Sequence, residues 1–169
     1  MVTGNAMANN IRTLGGNDFI NPGPGDDVMT GSSGNDFYAL TPTTGDGIIR
    51  ELEGSSAFPG QDAVRFIDDR IIDHGREELE ELFVFKRDGN DLVINLTLDS
   101  PTPQATMTVE NMAFGRHRVE RLELTDVSGD VVWAASLVDL FGQMADGQQS
   151  RFVRDGQSDK FGSLVSPAF

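Results

Sequence analysis

The chain of 169 residues has no cysteine, a single tryptophan, a single tyrosine and no long apolar run. Without cysteine, neither a disulfide nor a cysteine-ligated metal can stabilise the fold. No stretch approaches the roughly eighteen consecutive apolar residues of a membrane-spanning helix. The opening "MVTGNAMANN" also lacks the basic and then apolar profile of a cleaved signal peptide. If the protein is secreted, we expect a route that does not read this N-terminus and a stabilising element other than disulfides.

Positive charge is also scarce. Lysine and arginine number 13 against 27 aspartates and glutamates, which gives a net charge of -14 and a sequence pI of about 4.3. Such a chain repels nucleic acid and anionic membrane, so we predict no nucleic-acid partner. Membrane contact is expected only through an upstream domain, should the natural protein have one. Cations are the favoured partners.

Catalytic motifs are missing as well. The two histidines, His74 and His117, lie far apart, and no serine stands in a nucleophile elbow. Two isolated histidines do not provide the three or four ligands of a zinc site. The neighbouring acids Asp68 and Asp69 point to opposite faces if they lie on a strand, which argues against their acting as the carboxylate pair of a glycoside hydrolase. The sequence therefore predicts a protein that is not an enzyme.

What the chain does have is a nine-residue repeat. Four units follow one another: "GNAMANNIR" (4–12), "TLGGNDFIN" (13–21), "PGPGDDVMT" (22–30) and "GSSGNDFYA" (31–39). Their sixth positions are Asn9, Asp18, Asp27 and Asp36. Two looser units follow after insertions, "PTTGDGIIR" (42–50) and "AFPGQDAVR" (57–65), of which the second restores Asp62. Three consecutive units in one frame argue against a glycine-rich loop with incidental aspartates.

The residue types within each unit predict a turn followed by a short strand. Glycine adopts positive φ at little steric cost, and the three bulky, apolar and polar residues that follow alternate across a strand. One unit cannot bury its apolar side chain alone, but stacked units can. The expected interior comprises Ile11, Ile20, Met29, Tyr38, Ile49 and Val64. Stacking also brings the aspartates together, and a hard, oxygen-preferring cation would remove their repulsion.

This pattern resembles the nonapeptide repeat of the RTX (repeats-in-toxin, haemolysin-type) proteins, which forms a calcium-binding parallel β-helix. The resemblance implies a right-handed parallel β-roll with Ca²⁺ bound between units two apart, by sixth-position aspartates and by backbone carbonyls of the glycine-rich turns. The first rim would hold Asp18, Asp36 and Asp62, with two well-formed sites. The second rim would hold Asn9, Asp27 and the displaced Asp46, with weaker sites or none. The turn glycines implied as ligands are Gly16, Gly34 and Gly25.

Beyond residue 66, apolar and polar residues alternate as in antiparallel strands that have one buried and one solvent-exposed face. "LFVFKR", "DLVINLTL", "ATMTVENM" and "HRVERLELTDVSGDVVW" read as strands, and Val119, Leu122 and Leu124 are predicted to face inward. "DGNDLVINLTLD" lacks the glycine and glutamate of an EF-hand loop and predicts a hairpin turn instead. A short acidic helical turn is expected near residues 76–81. "AASLVDLFGQM" predicts an amphipathic helix, with Leu137, Leu140, Phe141 and Met144 at helical spacing.

This C-terminal stretch resembles the region that follows the last repeats in haemolysin-type proteins, on the residues "GIIRELEG", "GQDAVRF", "RDGNDLVINL", "TVENMAF", "HRVERLEL" and "GDVVW". The resemblance implies a cap over the open end of the roll. Glu51 stands where the family commonly carries an acid, which makes it a candidate extra ligand, although we favour its interpretation as a solvated glutamate. The arginines in "GRHRVERLE" alternate with Glu120 and Glu123, which predicts ion pairs on a strand face.

The predicted fold is therefore all-β dominated: a parallel β-roll of nonapeptide repeats, capped by antiparallel β-strands and a C-terminal helix. The expected divisions are 1–65 for the roll, 66–146 for the cap and 147–169 for a flexible tail. The tail ends in "LVSPAF", which resembles the uncleaved C-terminal signals of proteins exported by type I secretion.

The expected function is that of a secreted, extracellular calcium-binding module that folds on binding calcium. It would serve as the C-terminal folding and secretion domain of a type I secreted protein and contact the type I secretion machinery through its tail. The alternative is a calcium-dependent adhesin or carbohydrate-binding module, for which Trp133 and Tyr38 are the candidate aromatic residues. A third hypothesis is that the chain is the C-terminal part of a toxin, protease or lipase whose active domain lies upstream, and the sequence does not name that activity.

Overall fold

The computed structural model describes residues 1–51, 61–67, 82–97, 103–114, 118–126 and 128–150. The strands in these ranges are β1 (Val2–Thr3), β2 (Asn10–Arg12), β3 (Phe19–Asn21), β4 (Asp27–Thr30), β5 (Phe37–Leu40), β6 (Asp46–Ile49), β7 (Ala63–Ile67), β8 (Phe83–Asp88), β9 (Asp91–Leu96), β10 (Ala105–Val109), β11 (Arg121–Thr125), β12 (Val131–Ser136) and β13 (Gln149–Ser150). One short helix, α1 (Leu137–Gln143), follows β12. The expected all-β dominated fold is confirmed.

Successive short strands of the repeats alternate between two sheets. The first sheet has the order β1-β3-β5-β7-β11-β12, and the second has the order β13-β8-β9-β10-β6-β4-β2. Strands two units apart therefore become parallel neighbours, with Phe19 opposite Phe37 in the first sheet and Asn10 opposite Val28 in the second. The glycine turns reverse the chain after about three strand residues, which is why each unit contributes one short strand.

The C-terminal strands extend the same two sheets. Strand β11 pairs in parallel with β7, placing Arg121 opposite Ala63, and β10 pairs in parallel with β6, placing Thr106 opposite Asp46. Hairpin-like antiparallel pairs then follow, β8 with β9, β9 with β10 and β11 with β12. Both sheets are consequently mixed. The edges of β6 and β7 are covered, so their backbone groups do not face solvent as open strand edges.

The core is continuous from the repeats into the C-terminal strands. Ile11 is 9% exposed, and the other five predicted interior residues of the repeats are fully buried. Val119, Leu122 and Leu124 are also buried, as the sequence predicted. Phe66 of β7 and Phe83 of β8 meet edge to face, with ring centroids 5.4 Å apart. Because the two sheets share one apolar interior, strand register in the repeats and in the C-terminal region is set together.

Helix α1 closes the C-terminal part of the described fold. The side chain of Ser136 caps its first turn by accepting a hydrogen bond from the backbone N–H of Asp139 at 3.1 Å. Leu137, Leu140 and Phe141 are buried, and Met144 after the helix is also buried. The guanidinium of Arg87 lies 4.4 Å above the Phe141 ring. The predicted amphipathic helix is thus present, with its apolar face against the sheets.

Several sequence predictions fall outside the described residues. These are the helical turn near residues 76–81, both histidines, the Asp68–Asp69 pair and residues 151–169 of the tail. Gln149 and Ser150, at the start of the predicted tail, pair with Lys86 and Phe85 of β8. In the described part of the chain, no helix is both long and apolar enough to cross a membrane.

Candidate metal centre

A ladder of carboxylates runs along the first rim. The backbone N–H of Asp18 donates to Asp36 Oδ1 at 2.8 Å, and the N–H of Asp36 donates to Asp62 Oδ1 at 2.8 Å. The N–H of Asp62 donates in turn to Glu120 Oε2 at 2.7 Å. Parallel register causes this regularity, since each acid immediately precedes its strand. We call Asp36, Asp62 and Glu120, the three acceptors, the carboxylate ladder.

Each of these bonds occupies only one carboxylate oxygen. In the described part of the chain, Asp36 Oδ2 is buried without a hydrogen-bond partner, and so is Asp27 Oδ2 on the second rim. Asp36 is 0% exposed and Asp27 1% exposed. Burying an acceptor without a partner is costly, and more so if it carries charge. A cation bound at these oxygens would remove that cost, so both residues fit the calcium-ligand role that the family resemblance implies.

The turns before these aspartates stack closely. Gly34 has φ of +131°, and a Cβ added to it would lie 2.1 Å from the carbonyl oxygen of Gly16 in the turn below. Gly25 has φ of +133°, and its Cβ would lie 2.9 Å from the carbonyl oxygen of Met7. Carbonyl oxygens therefore lie directly against the next turn, as a site built partly from backbone oxygens requires.

The second rim is less regular, as predicted. Both the backbone N–H and the side-chain amide of Asn9 donate to Asp27 Oδ1, at 2.7 and 2.8 Å. Gly47 lies opposite Asp27 in the next strand, where an aspartate would continue the series. A Cβ on Gly47 would lie 2.9 Å from the Met107 sulfur, and the neighbouring Asp46 is exposed. Strand β10 therefore fills this place with an apolar side chain.

Glu51 is buried, at 4% exposure, so its interpretation as a solvated glutamate was wrong. Its Oε1 accepts from the N–H of Gly31 at 3.2 Å and its Oε2 from the N–H of Ser32 at 3.1 Å. Burial, together with the negative charges of Asp36 and Glu120, raises the pKa of Glu51 to about 7, against the opposing effect of the two backbone hydrogen bonds. Glu51 therefore adds a carboxylate to the surroundings of Asp36.

The acids along the first rim raise each other's proton affinity. Burial and the charges of nearby acids together raise the pKa of Asp62 to about 8, against the opposing effect of the backbone hydrogen bond from Asp36; the acids are Glu51, Glu120 and Asp36. The pKa of Asp36 is also raised, by burial first and then by the charge of Asp18. Such a group of buried acids favours either protons or a bound cation.

The structure brings the predicted residues together in pairs and ladders rather than in a cage. Asp18, Asp36 and Asp62 adjoin along the first rim, Gly16 and Gly34 stack beside them, and Gly25 lies on the second rim against Met7. Within the described ranges, no three Asp, Glu, His or Cys side chains form a group that could hold a metal. A cation there would need backbone carbonyls as well. The individual ligand assignments remain predictions.

Sequence reasoning missed the role of Glu120 in the ladder. The stretch "GRHRVERLE", residues 115–123, repeats the nine-residue frame with Gly115 first, Glu120 sixth and Leu122 eighth. Leu122 indeed lies opposite Val64, the eighth residue of the last repeat. The frame was hard to recognise because about fifty residues of other sequence separate it from the repeats and glutamate replaces aspartate.

Comparison with known protein families agrees with the geometry. Residues 3–38 match four copies of the RTX calcium-binding nonapeptide repeat. The N-terminal part of the chain therefore carries RTX calcium-binding repeats, and the resemblance seen in the sequence is confirmed there. A search of curated proteins found no match.

Proposed function

We propose that this chain is a calcium-binding module in which residues 1–65 form a parallel β-roll that folds on binding extracellular calcium. The observation that carries the proposal is a pair of buried oxygens, Asp36 Oδ2 and Asp27 Oδ2, that have no hydrogen-bond partner among the described residues and lie within a stack of RTX repeats. Parallel pairing between strands two units apart supports the β-roll. Calcium suits such a site because it accepts six to eight oxygen ligands in flexible geometry.

The residues that would hold calcium differ between the rims. On the first rim, Asp18, Asp36 and Asp62 would provide carboxylates, with turn carbonyls from Gly16 and Gly34. On the second rim, Asp27 and Asn9 would contribute, with Gly25. The first rim is expected to bind more strongly, because its ladder continues through Asp62 while the second ends at Gly47. Bound calcium supplies a divalent positive charge that offsets the repulsion among these acids.

Calcium binding and folding are coupled in this proposal. The turn geometry that brings the aspartates of separate units together exists only in the folded chain, so calcium binds the folded state selectively. Each site then stabilises the fold by RT ln(1 + [L]/Kd), about 2.7 kcal/mol at a hundredfold excess over Kd. Where calcium is scarce, the acids repel one another and the chain stays loosely folded.

This coupling suits a C-terminal folding and secretion domain of a type I secreted protein. The chain would leave a low-calcium cytosol loosely folded and fold outside the cell. The resemblance of "LVSPAF" to type I signals supports contact between the tail and the secretion machinery. Deleting residues 151–169 should abolish export from cells carrying a type I exporter and leave calcium binding unchanged. Continued export of the truncated chain would contradict the signal assignment.

The calcium proposal itself is tested by isothermal titration calorimetry, with circular dichroism in parallel. Starting from chelator-treated protein, we expect calcium to bind and strand content to rise over the same concentration range. A double variant replaces Asp36 and Asp27 by asparagine, which retains the side-chain shape and an oxygen acceptor at each position but removes two charges. This variant should bind far less calcium than the original protein. Equal binding by both proteins would contradict the proposed site.

The alternative of an adhesin or carbohydrate-binding module requires an exposed aromatic platform. Tyr38 is fully buried and accepts a hydrogen bond from the N–H of Gly31 at 2.8 Å. Trp133 is half-buried and packs against the core. These two side chains therefore do not form such a platform, and we favour the calcium-dependent folding module.

A further inference from the structure

Glu120 repeats the backbone arrangement of the repeats, although it lies outside the matched residues 3–38. Between two repeat units, the N–H of Asp36 donates to Asp62 Oδ1, and the N–H of Ala63 donates back to Asp36 O at 2.9 Å. One step further, the N–H of Asp62 donates to Glu120 Oε2, and the N–H of Arg121 donates back to Asp62 O at 3.1 Å. The same two-way connection is thus made once more by a residue of the C-terminal region.

Glu120 and strand β11 correspond to the acid and the strand of a repeat unit, but the turn glycine at the fourth position has no counterpart. Arg118 stands two residues before Glu120, where Gly34 stands before Asp36. At Gly34 a Cβ would already lie 2.1 Å from the carbonyl oxygen below, so an arginine does not fit a turn stacked in that way. The positive charges of Arg121 and Arg118 also act on Glu120. These features disfavour calcium at this end and leave Glu120 as an acceptor for the Asp62 backbone.

We propose that Glu120 is a positioning residue that links docking of β11 to calcium binding at Asp36 and Asp62. By holding the Asp62 backbone, it fixes the carboxylate of Asp62 against Asp36, where the proposed site lies. The inference rests on the proposed calcium function and deepens it. Because such coupling is reciprocal, calcium at this site strengthens docking of β11, and docking raises calcium affinity to the same extent.

Three substitutions separate the backbone contact from the charge. Glu120→Gln keeps an oxygen acceptor at the same reach and loses the charge. Glu120→Asp keeps the charge but is one methylene shorter. Glu120→Ala removes both. The matched control is Glu110→Ala, since Glu110 also links the C-terminal strands to the repeats, through an ion pair with Arg50 at 2.6 Å, but lies on the other sheet and outside the ladder.

Calorimetry on the full chain counts the calcium ions bound at saturation, and thermal unfolding gives the Tm of the calcium-loaded protein. We expect Glu120→Ala and Glu120→Asp to lose about one ion or to weaken one site about tenfold, as loss of a hydrogen bond to a charged group predicts. Glu120→Gln should bind calcium with an affinity within about threefold of that of the protein without substitutions. Glu110→Ala should lower Tm without changing the number of ions.

Each contrary outcome is informative. Full binding by Glu120→Asp with loss in Glu120→Gln would overturn the positioning role and indicate that the charge matters instead. A lower Tm with the ion count unchanged in Glu120→Ala, as in the control, would also overturn it, because that is the behaviour of a purely structural contact. If Glu120→Ala does not fold, the Gln and Asp variants carry the comparison. If the protein without substitutions binds no calcium, the proposed function itself is overturned.

Discussion

The backbone N–H of Asp36 donates to Asp62 Oδ1 at 2.8 Å across 26 residues of sequence. The contact joins an intact repeat to a degenerate one and bypasses the fifth unit, which contributes to the other sheet. Asp36 thereby lies between Asp18 and Asp62 on one rim, with its second oxygen buried and unpartnered among the described residues. This position makes Asp36 the central residue of the proposed calcium sites.

Asp36→Asn is expected to reduce calcium binding more than Asp27→Asn. Both aspartates are buried with one unpartnered oxygen in the described structure, but Asp36 has acids on both sides, whereas Asp27 has Asn9 on one side and Gly47 on the other. Calorimetric titration of the two variants gives the comparison. Asparagine preserves an acceptor for the backbone N–H, so a difference reflects charge. Equal losses would show that the two rims are equivalent.

Calcium, and not magnesium, is expected to order the repeats. Magnesium demands a near-ideal octahedron and gives up water reluctantly, while these turns offer carboxylates and backbone carbonyls in less regular positions. Circular dichroism of chelator-treated protein, titrated with each ion at equal ionic strength, measures the gain in strand. A gain with magnesium as large as that with calcium would contradict the proposed selectivity. A strand spectrum insensitive to chelation would instead show that folding does not need the ion.

Without calcium, stability should fall as pH rises from about 4 to about 8. In the folded state the pKa values of Glu51 and Asp62 are raised to about 7 and about 8, from ordinary values of 4.5 and 3.8. The folded state therefore binds more protons than the unfolded state across this window, and raising the pH favours unfolding. Urea unfolding in chelator at pH 5 and pH 8 measures the effect. Glu51→Gln should weaken this dependence.

Calcium affinity, in contrast to the stability of the calcium-free protein, should increase as the pH rises. Calcium competes with protons for the carboxylates, so its affinity should rise as pH increases through the same window. Calorimetry at pH 5.5 and pH 8 gives the affinities, and proton release on binding provides a second measure. Calcium affinity that is independent of pH would indicate that Asp62 is not in contact with the ion.

Gly34→Ala is expected to destabilise the calcium-loaded protein more than Gly16→Ala. Both glycines have positive φ, +131° and +108°, so alanine is strained at either position, by roughly 1–2 kcal/mol. Only at Gly34 does the added Cβ also meet a carbonyl oxygen, that of Gly16 at 2.1 Å, while Gly16 has nothing within 4 Å. Chemical unfolding at saturating calcium measures both variants. Equal losses would mean that the turns can separate at no cost.

The repeats could be predicted from the sequence because each unit carries its own local signals. Glycine at the turn, an acid at the sixth position and an apolar residue at the eighth follow from backbone sterics and strand alternation, and Ile20, Met29 and Tyr38 are buried as those rules require. The antiparallel strands and the helix were likewise predictable, since their periodicity lies within single segments. The resemblance of this repeat to a known family placed Asp27 and Asp36 in the candidate site, and each has one buried oxygen without a hydrogen-bond partner among the described residues.

Only the tertiary structure decided what lies against the last repeats. Local sequence could not reveal that Glu51 folds back onto the N–H groups of Gly31 and Ser32, or that Met107 fills the place beside Gly47. It also could not place Glu120 against Asp62, because 58 residues separate them and parallel pairing between β7 and β11 brings them together. Pairing between strands that are far apart in sequence depends on how the whole core packs. The burial of these residues and the contacts between the acids are therefore not encoded in any single nine-residue unit.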